Sequence, residues 1–159
     1  MRRIVVLVTA TLVAGVWAPA TAAASRPLDG QLTGTITSRT RVGMDAYETS
    51  FEGRGAISGI GAVSFTGLDL LGCGPEPSLD GCVRSFRLTI STRSGATLTL
   101  AGDVVWAQTD PPPPVPWTVV QTTGRFTRYA GSGTYEVVSN DKTTGGRMVV
   151  RLDGVLRSR

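Results

Sequence analysis

The amino-acid sequence predicts a single all-β domain of about eight strands, a barrel or a sandwich, behind a cleavable export signal. Three observations predict it. The chain carries 20 glycines and 9 prolines in 159 residues, a composition that works against helices. Apolar and polar side chains alternate with period two in run after run, and no segment shows the 3.6-residue period of an amphipathic helix. Glycine-rich turn signals separate these runs at short intervals. Alternation alone does not choose between a barrel and a sandwich.

The N-terminal element is read first. Arg2 and Arg3 provide a positive start, Ile4 to Ala18 run almost without a polar side chain, and Ala20-Thr21-Ala22-Ala23-Ala24 supplies small residues for cleavage. That order is the design of a secretory signal peptide. The apolar run is shorter than the roughly 20 residues of a spanning helix. Arg2-Arg3 lacks a twin-arginine consensus around it, so general secretion is expected, and no cysteine near the cleavage site marks a lipoprotein. We therefore assign residues 1–24 to the signal and 25–159 to one secreted, extracellular domain. Its size suits a single core. No later segment is long and apolar enough to span a membrane.

Within the domain the clearest strand is Ala96 to Trp106, where Ala96, Leu98, Leu100, Gly102, Val104 and Trp106 alternate with Thr97, Thr99, Ala101, Asp103 and Val105. Phe86, Leu88 and Ile90 alternate with Arg87, Thr89 and Ser91, and Met148, Val150 and Leu152 with Arg147, Val149, Arg151 and Asp153. Weaker runs cover Leu32 to Thr37, Tyr47 to Phe51, Gly55 to Ser58, Ala62 to Thr66, Pro116 to Thr122 and Gly133 to Val138. Arg54-Gly55, Ser94-Gly95 and Thr144-Gly145-Gly146 read as turns. The proline run from Asp110 to Trp117 reads as a stiff extended loop between strands, in preference to a ligand for a proline-binding module.

Cys73 and Cys82 flank a segment rich in turn formers. In an exported protein such a pair reads as a structural disulfide. Closing a loop of about 10 residues stabilises by roughly 2.7 kcal/mol in the chain-entropy estimate. A redox-active pair would more often show C-x-x-C spacing beside a helix.

The stretch Thr123-Gly-Arg-Phe-Thr-Arg-Tyr-Ala-Gly-Ser-Gly-Thr-Tyr135 resembles the T-G-x-F-x-G-A-x-G hairpin of the allene oxide cyclase and dirigent barrels. It is closer still to the G-R-F-x-G-A-x-G-S-G-T-Y pattern of small exported, uncharacterised bacterial (actinobacterial-type) proteins of that barrel type. Gly124, Phe126, Gly131 and Gly133 fall at matching positions, while Arg128 and Tyr129 stand where the pattern has Gly-Ala. Phe51 to Gly61 and Met148 to Leu156 fit the same kind of protein loosely. The resemblance implies an antiparallel barrel of about eight strands with a lumen, and it carries no catalytic residue over to this chain. By its residues alone, the stretch is a glycine-rich hairpin in which Gly131 and Gly133 adopt positive φ or admit a neighbouring backbone.

Elimination narrows the chemistry. The chain has no histidine, which removes serine–histidine and cysteine–histidine nucleophile systems and histidine-bound metals. Bridged cysteines remove thiolate and cysteine–zinc chemistry, and no phosphate-cradling loop appears. No metal or cofactor is expected. The formal charge of +4 falls to about +2 without Arg2 and Arg3, and the arginines are scattered, so nucleic acid is not an expected partner. Glu48 and Glu52 share a strand face but stand about 13 Å apart, beyond the roughly 5–10 Å of a glycosidase pair; a solvated face is their ordinary reading. Asp103 would have a raised pKa if buried, though a surface aspartate is the ordinary reading. No catalytic residue is assigned.

Three readings of function follow. The first is a binding module whose lumen takes a small apolar or aromatic ligand, lined by some of Tyr47, Phe51, Phe86, Leu98, Leu100 and Trp106. It requires a cavity and a buried polar group inside it. The second is a cyclase- or isomerase-like enzyme of the resembled type, which requires an inward carboxylate or tyrosine. The third is an extracellular interaction protein with a solid core, where an exposed Trp117 or Tyr129 would form a surface patch. Binding or interaction ranks above catalysis. An oligomer interface is not readable.

Overall fold

The computed structural model describes residues 25–74, 81–107 and 112–159, so the signal assigned to residues 1–24 lies outside the described residues. Nine strands follow in chain order: β1 (Ser25–Pro27), β2 (Gly30–Arg41), β3 (Ala46–Ile57), β4 (Gly61–Cys73), β5 (Cys82–Thr92), β6 (Thr97–Trp106), β7 (Val115–Thr122), β8 (Tyr129–Asn140) and β9 (Arg147–Ser158). They form one antiparallel sheet in which every neighbour from β2 to β9 is next in sequence, and β9 pairs back onto β2. The sheet is thus closed into a barrel. β1 and β2 pair with the same strand in one unbroken register, Ser25↔Arg157 to Pro27↔Val155 and then Gly30↔Leu152 to Thr35↔Arg147. They act as one stave, so eight staves enclose the lumen.

Among the described residues, closure gives each strand from β2 to β9 a partner on both sides, which removes the hazard of unpaired strand groups. The reversals have local causes. Gly59, Gly61, Gly95 and Gly145 sit at φ +75°, +93°, +80° and +82°, where a side chain would be strained. The Ser94-Gly95 and Thr144-Gly145-Gly146 turns therefore stand as read from sequence. Arg54-Gly55 does not: both residues lie inside β3, which joins two expected short strands into one. Gly55 is there for packing, since a Cβ would stand 2.7 Å from Leu32 Cδ2.

The same reason explains the other strand glycines. Gly34 and Gly53 lie under the Phe65 ring, Gly67 lies under Phe51, and Gly133 and Gly154 lie under the Trp117 indole, each so close that a Cβ would collide with the ring. Small residues against large ones are how a narrow barrel fills its taper. Trp117 is consequently buried, with Nε1 donating to the Thr134 carbonyl at 3.0 Å, and forms no surface patch. Rings also meet inside the lumen: Phe86 on β5 stacks on Tyr135 on β8 with centroids 3.8 Å apart.

The outer wall is mostly polar, with Thr33, Thr35, Glu52, Arg54, Ser64, Thr66 and Arg87 facing out among exposed Leu68, Val83, Val105, Val120 and Val138. Apolar inside and polar outside is the reverse of a membrane barrel. Among the described residues no helix is long and apolar enough to cross a membrane.

Candidate functional site

The two ends of the barrel differ. At the lower end a 3-10 turn (Gly124–Phe126) folds across the opening and buries Phe126, whose ring meets Tyr129 edge-on at 6.5 Å. Gly124 permits this at φ +57°, where its Cα lies against Ala96. Ile57, Val63, Ala96 and Leu156 complete an apolar closure.

The upper half places charge inside. The inward phase of β4 runs Val63, Phe65, Gly67, Asp69, Leu71, and that of β5 runs Cys82, Arg84, Phe86, Leu88, Ile90. Asp69 and Arg84 are 2% and 6% exposed, and they form a bidentate pair: Nε donates to Oδ1 at 3.0 Å and Nη2 to Oδ2 at 3.1 Å. The fork geometry is the strong form of this contact. Tyr135 points its hydroxyl towards Asp69 yet makes no hydrogen bond of normal geometry among the described residues. Burial raises the Asp69 carboxyl above its ordinary value, against the opposing pull of Arg84. Burial, reinforced by the Asp69 charge, pushes the Tyr135 phenol well above its ordinary value, so it stays protonated at neutral pH.

Around this cluster the register sets Arg39 opposite Thr49, Thr49 opposite Asp69, and Asp69 opposite Phe86. One step higher, Arg41, Tyr47, Leu71, Arg84 and Val104 form the next row, and Cys73, Cys82 and Trp106 the row above it. Arg39 holds its guanidinium 4.5 Å over the Tyr47 ring. Trp106 is half-buried, and its indole Nε1 is enclosed without a partner among the described residues. Cys73 and Cys82 are bonded and are direct cross-strand partners, which locks β4 to β5 at this mouth.

The six residues expected to line a lumen site divide accordingly. Phe51, Phe86, Leu98 and Leu100 are 0–5% exposed and serve as core. Only Tyr47 and Trp106 reach the mouth, half-buried. An open depression of about 480 Å³ lies on the outer wall beside Glu52, Arg54 and Ser64. Glu48 and Glu52 face outward, and Asp103 is exposed opposite Ser85. Asp69 and Arg84 were missed in the sequence: Arg84 falls on the apolar beat of its strand, but Asp69 stands between Leu68 and Leu70, where the alternation is blurred. No known protein family matches this chain, and no curated protein shows significant similarity to it.

Proposed function

We propose that this chain is a secreted binding protein that takes a small aromatic or otherwise apolar molecule at the upper mouth of its barrel. One observation carries the reading: Trp106 Nε1 is enclosed there without a hydrogen-bond partner among the described residues. Buried polar groups are nearly always paired, and an orphan costs about 1–3 kcal/mol. A ligand acceptor seated between the half-buried Tyr47 and Trp106, with Leu71 and Val104 beside it, would recover that cost. Such a site is mostly apolar with few polar groups, as small-molecule sites are. The disulfide is compatible with an extracellular location.

The test is native mass spectrometry of the mature protein purified from the medium of its producing cells, with organic extraction of anything bound. A reproducible small mass supports the reading. A clean apo mass, with no uptake from a panel of lipids and aromatics, sinks it and leaves the interaction-protein account, whose exposed apolar outer residues are Leu68, Val83 and Val105.

A second reading, a cyclase or isomerase of the allene oxide cyclase and dirigent type, draws on the inward Asp69 and Tyr135. Both have raised proton affinities, as acid–base groups require. Turnover of the extracted molecule, lost in Tyr135→Phe and Asp69→Asn, would favour this reading over simple binding.

A further inference from the structure

Resting on the mouth-binding reading, we infer that the ligand carries an acid group, a carboxylate on an apolar or aromatic body, and that Arg39 holds it. The inward positions of the upper rows place three charged side chains deep in the mouth: Arg39, Asp69 and Arg84. Arg84 spends its fork on Asp69 through two hydrogen bonds, while Arg39 acts on the same carboxylate only through its charge, without a hydrogen bond. Arg39 remains. It is half-buried, stacked over Tyr47, and makes no ion pair or hydrogen bond among the described residues.

The other charged groups near the mouth do not answer it. Arg41 faces the same side but is tied to the turn, its guanidinium donating to the Gly43 and Met44 carbonyls. Glu48 alternates to the outer face, in register with Thr40 and Leu70. Asp103 is exposed on the outer wall, Asp45 sits exposed in the turn, Glu136 pairs with Arg151, and Asp141 accepts from the Arg147 amide. The described interior therefore holds two guanidinium groups against one carboxylate.

A guanidinium stacked on an aromatic ring is weakly hydrated and already oriented, and its free edge matches the two oxygens of a carboxylate. The orphaned Trp106 Nε1 is a further donor on the inner side of the wall. These donors and a ring surface suit an apolar acid better than a neutral hydrocarbon. They do not suit a cation, which would meet the unpaired arginine.

The experiment compares matched probes on the mature full-length protein by isothermal titration calorimetry: 2-naphthoate against 2-naphthamide, and decanoate against decanol. The acid of each pair is expected to bind about 10- to 100-fold more tightly, the range of a charge-assisted hydrogen bond. Arg39→Gln should remove the difference between acid and neutral probe, while Arg39→Lys should keep part of it. Rising salt should weaken the acid alone, a check that needs no variant. Equal binding of acid and neutral probe by the wild-type protein overturns the acid-group inference and leaves the mouth-binding reading standing. So does a preference that survives Arg39→Gln. Failure of all four probes to bind overturns both.

Discussion

The lower and upper ends of this barrel are built from the same strands with the same alternation, yet their inward positions are used in opposite ways. Below, Ile57, Ala96, Phe126 and Leu156 meet over a 3-10 turn and close the lumen with apolar surface. Above, the same inward phase presents Arg39, Asp69, Arg84 and Tyr135. Closing an end with carbon stabilises in proportion to the area removed from water. Burying an ion pair gains little over an apolar pair of the same shape, because desolvation offsets the attraction. The lower end is thus what folding alone favours, and the upper end is where local rules are set aside. Such departures concentrate at functional sites.

The sharpest way to break the comparison is at Arg84. Arg84→Ala leaves the Asp69 carboxylate buried without its partner and is expected to destabilise by about 3–5 kcal/mol. The double variant Arg84→Met with Asp69→Leu should recover most of that loss. Urea unfolding of the three proteins decides it, and a double variant as weak as the single one would mean that the pair itself stabilises the fold.

At the other end, Phe126→Ala is expected to cost about 3 kcal/mol through lost burial and the cavity left behind. Its ligand uptake should match that of the wild-type protein, as measured by the same native mass spectrometry. Altered uptake would show that the two ends are coupled.

The smallest effect belongs to Tyr135→Phe. Removing an unpartnered hydroxyl should change stability at neutral pH by no more than about 1 kcal/mol. Alkaline pH separates the two proteins. The folded-state value of Tyr135 lies above its ordinary 10.0, so the native protein keeps a proton that the unfolded chain releases. The stability this provides is complete below pH 10 and is lost as pH rises through the folded value. Tyr135→Phe should therefore flatten the stability curve above pH 10 by one proton, read from urea midpoints across that range. Asp69 has the same sign at the acid end: its raised value adds stability below the ordinary 3.8, which declines as pH rises through the folded value.

Much of the fold was legible because strand alternation is local. Leu98 and Leu100 on one phase and Asp103 on the other could be sorted without any partner strand, and Gly95 and Gly145 announced their turns by composition. Gly55 misled for a physical reason: a glycine required by φ and a glycine required by a neighbour's side chain look alike in one dimension. Trp117 shows the same limit, since its burial depends on Gly133 and Gly154 from two other strands. The site was missed in the sequence: the run expected in this part of the chain stops at Thr66, short of Asp69. Asp69 and Arg84 are 15 residues apart, and only the β4–β5 register brings them face to face, while Tyr135 reaches them from β8 across the lumen.

By itself, then, the sequence determined the all-β class, the Ser94-Gly95 and Thr144-Gly145-Gly146 turns, the apolar phase of β5, β6 and β9 and the pairing of Cys73 with Cys82, because each depends on neighbours along the chain. Tertiary structure alone decided that β9 pairs back onto β2, that rings fill the places glycines leave, and that one arginine in the mouth lacks a carboxylate among the described residues. Those outcomes depend on which strands lie side by side, on the offset between them, and on what meets across a closed lumen. No local pattern encodes these.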